Sequence, residues 1–299
     1  VEWVSFETPF FSAEKARKAS EMTGIPLRVQ NITGIYMKML RNPPVGYGQH
    51  MNPCMDCHAL MFRLAGEILQ SEGFDFLFSG EVLGQRPMSQ TKPSLRYVEK
   101  HSGVQGLILR PLSALLLPET TPEQRGWVDR SRLLDFSGRS RKPQIRLAAQ
   151  WGVQDYPAPA GGCLLTDKGF SRRLKDVFEH QENCREAELE MLKYGRHFRI
   201  NPQTKMVVGR SQADNDQILH CYDSQKDIYV KLKKHPGPIA LIPNGSNDQG
   251  AIILAASIAV GYSKASNEMP KEVRVFSPQG KETVTVMGIP AADLHHLLI

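Results

Sequence analysis

Cys54 and Cys57 stand two residues apart in the segment NPCMDCH, at the head of an apolar-periodic stretch that reads as a helix. A thiolate placed there gains from the orphan N–H groups and the dipole of the helix N-terminus. Two thiols at this spacing can share one metal or one cluster. Cys163 lies far along the chain in PAGGCLLTD, where two glycines leave the backbone open to close approach. Three thiols brought together suit a [4Fe-4S] cluster with one iron left without a protein ligand, and that iron can hold a small anion such as sulfide. A structural zinc with His58 as fourth ligand is the competing reading, and a pair of buried structural thiols is the plainer one. Cys184, on a charged helix, and Cys221, in a strand, read as ordinary half-buried residues.

The elements that must position these thiols alternate. Val1–Phe6 reads as a strand, Ser12–Met22 as a helix capped by Ser12 and ended by Gly24, and Pro26–Gln30 as a second strand. A Pro- and Gly-rich loop runs from Arg41 to Pro53. Cys54–Ser71 then places Leu60, Leu64 and Ile68 on one helical face, and Phe74–Phe78 is a continuous apolar run, as a strand buried on both faces would be. This alternation predicts a parallel sheet with crossover helices, continuing through Gly106–Arg110. The expected organisation is a first domain over 1–178, a linker helix over 179–193 within a strongly charged stretch, and a second module over 194–299. In that module short β-rich runs, among them ILHCY and IYVKLKK, surround one apolar helix, GAIILAASIAVGYS. The pattern is that of a separate α+β module.

Composition narrows the classes. The chain has 299 residues, 41% of them hydrophobic and 23% charged, a globular balance that excludes wholesale disorder. No apolar run approaches the roughly 18 residues that span a bilayer, so no membrane partner is expected. The opening VEWVSFETPFF lacks a basic region and a cleavage site, so no secretory leader is expected; it starts inside a strand, and upstream residues are expected before Val1. The net charge of +6 is compatible with a polyanionic partner. Five cysteines make a poor disulfide framework and point to a reducing, cytoplasmic setting.

Four motifs in order, NPCMDC, FLFSGEVLGQRPMSQT, LRPLS and PAGGCLLTD, resemble the PP-loop tRNA thiolation enzymes, above all the 4-thiouridine synthetase family, with the 2-thiouridylases as cousins. The likeness covers roughly Val1 to Phe178. It implies an α/β fold, an open parallel sheet of the adenine nucleotide alpha-hydrolase type, followed here by the smaller α+β module. It implies a reaction in which ATP and Mg2+ adenylate a tRNA uridine and sulfur replaces the activated oxygen, giving 4-thiouridine or 2-thiouridine. By motif, Cys54 and Cys163 match the paired reactive cysteines, and Cys57 matches the extra thiol of the iron–sulfur members. Ser79, Gly80, Glu81, Gly84, Gln85, Ser89 and Gln90 match the strand-end loop near the nucleotide. The family's SGGxDS loop, whose backbone N–H groups cradle pyrophosphate, is not in the sequence; the expectation is that it stands upstream of Val1.

A uracil carbonyl oxygen leaves poorly, whereas its adenylated form leaves easily, so such an enzyme mostly positions and neutralises charge. The sulfur must arrive as a soft nucleophile. With a cluster, Cys54, Cys57 and Cys163 are ligands and sulfide is the donor; without one, Cys163 carries a persulfide and Cys54 resolves it. The sulfur would come from sulfide or a cysteine desulfurase. The alternative is a non-catalytic RNA-binding protein on a degenerate fold of this type, and a third reading has the enzyme act on a small molecule.

In the second module, VVGRSQADND, DIYVKLKKHPGP, AASIAVGYSKA and EVRVFSP resemble the RNA-binding domain of the NFACT proteins. The likeness departs after the Asp-apolar pair: where the family has an aromatic and a His, Tyr229 and Lys231 stand. Phosphate contacts supply most of the affinity in RNA binding. Candidates are Arg139, Arg141 and Lys142 in GRSRKPQ and Lys231, Lys233 and Lys234 in the module, each run being also a plausible solvated surface.

Overall fold

The computed structural model describes residues 1–156, 162–264 and 269–299. They form two units, Val1–Thr166 and Asp167–Ile299. Part of the PAGG stretch before Cys163 lies outside the described residues, while Cys163 itself lies inside them.

The first unit runs β1 (Trp3–Glu7), α1 (Glu14–Thr23), β2 (Leu27–Asn31), α2 (Thr33–Arg41), α3 (Cys54–Glu72), β3 (Leu77–Phe78), α4 (Lys92–His101), β4 (Ile108–Leu109), a one-turn α5 (Thr121–Gln124) and α6 (Lys142–Gln150). Gly24 and Gly73, both left-handed, end α1 and α3 as their positions predict. β1 pairs parallel with β2, Trp3 opposite Leu27 through Glu7 opposite Asn31. β3 pairs parallel with β4, Leu77 opposite Ile108 and Phe78 opposite Leu109. The expected strand direction is therefore present, but not the expected single open sheet: among the described residues there are two separate parallel pairs.

The physical reason is visible at the inner strands. Trp3 donates its N–H to Pro26 O, and Leu77 and Ser79 donate theirs to Leu107 O and Leu109 O. Alternation along a strand turns the N–H groups of Val4, Phe6 and Phe78 the other way. Those edges of β1 and β3 have no ladder partner among the described residues. Both border one cavity of about 590 Å³, with Met61, Phe62 and Ala65 of α3 among its walls. The apolar runs that predicted longer strands in fact pair over only two residues, and Phe78 is left 48% exposed.

The second unit runs α7 (Lys168–His180), α8 (Glu186–Met191), β5 (Arg196–Asn201), β6 (Thr204–Val208), α9 (Gln212–His220), β7 (Ile228–Leu232), β8 (Ala240–Ile242), α10 (Gln249–Gly261), β9 (Lys271–Ser277) and β10 (Gly280–Val286). The strands make a six-stranded sheet in the order β10-β9-β7-β8-β6-β5, with every pairing antiparallel. The apolar helix α10 covers one face, burying Phe198, Met206, Val230, Ile258 and Val275. Met191, Val207, Ile218 and Leu241 form a smaller core on the other face.

The charged stretch read as a linker forms α7 and α8, counted with this unit, and Cys184 falls between them. Phe170, Leu174 and Val177 give α7 a buried stripe, and Asp176 on it accepts from Arg199 at 2.7 Å and Lys205 at 2.9 Å. ILHCY closes a helix instead of forming a strand. Ser211 accepts the Asp214 N–H at the start of α9, and Cys221 caps its end. Beside β5 the chain end adds hydrogen bonds from Arg199 N–H to Leu297 O and from Ile299 N–H to His197 O. No helix among the described residues is long and apolar enough to cross a membrane.

Candidate functional site

Cys54 opens α3 and Cys57 follows one turn later; both thiols are half-buried, as is that of Cys163. Three anchors bring the distant Cys163 to them. Leu164 donates its N–H to Phe10 O at 3.0 Å, which ties the loop to the end of β1. Phe10 and Phe11 both pack on the ring of Tyr36, with centroids 5.7 and 5.3 Å away. Tyr36, on α2 and buried, hydrogen-bonds Cys57 through its hydroxyl.

The three sulfurs lie close enough to feel one another's charge. Burial pushes the Cys57 thiol up to about 12; the Tyr36 hydroxyl opposes this, and Cys163 and Cys54 add to it. Burial likewise pushes Cys163 up to about 11, with Cys54 raising it and the Leu165 N–H and Arg86 drawing it down. Asn52 donates to the Cys54 sulfur at 3.3 Å. Its side chain fits because position 48 is glycine: a Cβ there would meet Asn52 Nδ2 at 2.5 Å. Asp56, in the first turn of α3, accepts from Val45 N–H and from the Tyr97 hydroxyl and so fixes the loop ahead of the helix.

His58, the fourth ligand of the zinc reading, has its Nδ1 turned to a carboxylate, 2.8 Å from Glu81 Oε1. Glu81 follows β3, is buried, and receives Arg110 Nε at 2.9 Å and the Ser79 hydroxyl at 3.3 Å on its other oxygen. Arg110, buried beyond the end of β4, is thus an ion-pair partner, and Glu99 stands 3.6 Å from it as well. Gly80 lies between Ser79 and Glu81. Farther along the same loop Gly84 has φ 74° and donates its N–H to Gln90 O, while Ser89 and Gln90 are buried.

Gln85 Nε2, Gln90 Oε1 and Arg110 Nη2 are buried with no hydrogen-bond partner among the described residues. Orphaned donors and an acceptor beyond the ends of two paired strands are what a polar ligand would satisfy. The fit to a cluster is one of donor chemistry alone. Three thiols are the right donor set, yet among the described residues no group of three His, Cys, Asp or Glu side chains stands at metal-ligand spacing.

The first basic run is tethered to this loop, since Gly138 donates its N–H to Leu83 O. Arg139 and Lys142 are exposed and Arg141 is half-buried at the head of α6. In the second unit Lys231 points outward from β7, free of acid partners among the described residues. Lys233 and Lys234 share Glu272, at 2.9 and 3.3 Å, which offsets their charge.

Tyr36, Asn52 and Arg86 carried no signal in the sequence; Arg110 could be read there as an ion-pair partner, but not that its acid is Glu81. Arg110 and Glu81 carried the only available signal, being polar residues just past the carboxyl ends of two strands, where open α/β sheets bind ligands.

The family described as NFACT protein RNA binding domain matches residues 195–297. The C-terminal module is thus an RNA-binding domain of the NFACT type. Among curated proteins none matches the chain. Among solved structures, the C-terminal of the fibronectin/fibrinogen-binding protein from Streptococcus suis is similar, with a TM-score of 0.32 and 14% identity over 62% of this chain and 87% of that chain.

Proposed function

We propose that the chain is an RNA-directed sulfurtransferase: the C-terminal module holds a tRNA, and the first unit adenylates a uridine and replaces its oxygen with sulfur. One observation carries this reading. Cys54, Cys57 and Cys163 converge from distant parts of the chain, and His58, the neighbour of Cys57, holds Glu81 of the strand-end loop. The thiols and the strand-end loop therefore adjoin.

The fold that goes with this reading is one open parallel sheet of the adenine nucleotide alpha-hydrolase type. The unpaired edges of β1 and β3 on a common cavity support it, because one more strand seated there would join both pairs. The loop over 79–90, with Gln85, Gln90 and Arg110 presenting orphaned polar atoms, would hold ATP and its Mg2+, which supply the adenylyl group. Arg139, Arg141 and Lys142, tethered beside it, would take RNA phosphates.

The chain's own thiols do the sulfur chemistry, with a persulfide on Cys163 as donor and Cys54 as the thiol that resolves it. A [4Fe-4S] cluster held by all three would instead supply sulfide, and iron content of protein purified without oxygen tells the two apart. Resolution by Cys54 leaves a Cys54–Cys163 disulfide, which a thiol reductant would open before a cysteine desulfurase passes a new sulfane sulfur to Cys163; free sulfide would replenish only the cluster-bound form. A reducing cytoplasm suits five cysteines of which none is bonded to another.

Thionucleoside analysis of tRNA from a deletion strain tests the proposal. Loss of 2- or 4-thiouridine, restored by the wild-type gene and not by Cys163→Ser, is expected. Unchanged levels of both remove the assigned reaction. RNA binding without catalysis is the second reading, favoured by the raised Cys57 and Cys163 thiols, which are protonated at neutral pH as structural thiols are.

A further inference from the structure

Among the described residues α10 covers one face of the second unit's sheet, while the smaller core on the other face lies over β6 and β8 and reaches only as far as Tyr229 of β7. On β7 Ile228, Val230 and Leu232 are buried, and on β9 Val273 and Val275. Alternation therefore turns Tyr229, Lys231, Arg274 and Phe276 to the other face. Register aligns them in two rows, Tyr229 opposite Phe276 opposite Lys281, and Lys231 opposite Arg274.

The first row is a stack. The rings of Tyr229 and Phe276 lie 4.3 Å apart between centroids and 7° from parallel. Tyr222 closes one end edge-on at 4.9 Å, and the Lys281 ammonium lies 5.2 Å from the centroid of Phe276 at the other. Among the described residues no acid pairs with Lys231, Arg274 or Lys281, whereas the neighbouring Lys233 and Lys234 are offset by Glu272. Aromatic rings left half-exposed beside unpaired cations match an unpaired nucleotide, which offers a π-face and a phosphate together.

We propose that this face is a stacking platform for unpaired RNA nucleotides. A base takes the face of Phe276 that Lys281 covers, continuing the Tyr229–Phe276 stack, and Lys281 turns to the phosphate. An exposed cation–π contact is weaker than base–aromatic stacking, so the exchange is favourable. Lys231 and Arg274, one row away, receive the next phosphates. A duplex keeps its base faces inside and cannot make this contact. The proposal rests on the RNA-binding reading of residues 195–297 and adds the face and the state of the RNA.

The test is fluorescence anisotropy of the full chain with a labelled single-stranded RNA and with a duplex of the same length. Tighter binding of the single strand is expected. Phe276→Leu, which keeps apolar bulk and removes the ring, should weaken it about 5- to 100-fold. The pair Lys231→Gln and Arg274→Gln should lower the slope of log affinity against log salt by about 0.7 for each phosphate no longer neutralised, and Lys175→Gln, on the exposed side of α7, should leave both unchanged. Equal affinity for duplex and single strand, a comparison that needs no variant, overturns the platform while RNA binding stands. So does unchanged affinity in Phe276→Leu. Failure of the wild-type chain to bind either RNA overturns the RNA-binding reading itself.

Discussion

Glu81 and Arg110 face each other at 2.9 Å with side chains 7% and 4% exposed, each just past the carboxyl end of one of two paired parallel strands. A charge pair this deep is worth little net, but losing one partner strands the other. His58 and Ser79 occupy the remaining hydrogen-bonding positions of the carboxylate, so the strand-end loop is built around one acid.

Replacing that acid should be costly. Burial alone would raise the Glu81 carboxyl; hydrogen bonds and charge from His58 and Arg110 more than reverse this and hold it below the ordinary range. An acid lowered by folding stabilises above its unfolded pKa, about 4.3, and that contribution is lost as pH falls through the folded value. Glu81→Gln should cost about 3 kcal/mol at neutral pH and flatten the acid limb of the stability curve. Urea unfolding from pH 7 down to pH 3 measures both.

The raised thiols make a chemical prediction. A free cysteine titrates near pH 8.5, whereas Cys163, at about 11, should still gain alkylation rate well above that pH. Iodoacetamide labelling read by mass spectrometry between pH 7 and 11 should show the rise. A rate that levels off within about one pH unit of 8.5 would mean the sulfur is less enclosed than described. Tyr36→Phe removes the donor that opposes the rise at Cys57 and should slow labelling there further.

Asp176 is the staple between α7 and the sheet. Asp176→Ala leaves Lys205 and Arg199 without their acid and should cost about 3–5 kcal/mol, read as a lowered midpoint in urea. Lys205 is pulled down to about 8, chiefly by burial, with Arg199 and Arg173 adding to it against Asp176. Between that value and the ordinary value of about 10.4 the unfolded chain binds the extra proton, so this lysine makes stability rise with pH across the window. Comparing wild type with Lys205→Met at about pH 7.5 and pH 9.5 isolates this contribution; the variant should lack the rise.

Amide exchange should divide the inner strands residue by residue. Ser79 gives its N–H to Leu109 and should be protected, while Phe78, turned toward the cavity, should exchange fast. Val4 and Phe6 should behave as Phe78 does. Protection at these three would mean the cavity edge is already paired.

Much of the first unit was legible because its signals are local. The apolar period starting after Pro53 located α3 to within a residue, and the left-handed glycines marked where helices stop. Strand pairing was not legible, because Phe74–Phe78 and Gly106–Arg110 read as longer strands than their two-residue ladder supports. ILHCY misled through its β-branched and aromatic content, where the cap at Ser211 decided for helix. Lys233 and Lys234 read as phosphate contacts in the sequence, and their pairing with Glu272 was not legible because it depends on strand register. Phe276 drew no notice because its partner Tyr229 reaches it only by a pairing that skips β8 in chain order.

The hydrogen bonds that Leu297 and Ile299 make beside β5 act as a guard rail. A bare outer strand is a template for another copy of itself, and here Leu297 and Ile299 occupy a donor and an acceptor of that edge. Removing 297–299 would uncover the outer edge of β5 and take Leu297 from the main core, so sheet-to-sheet self-association is the expected result.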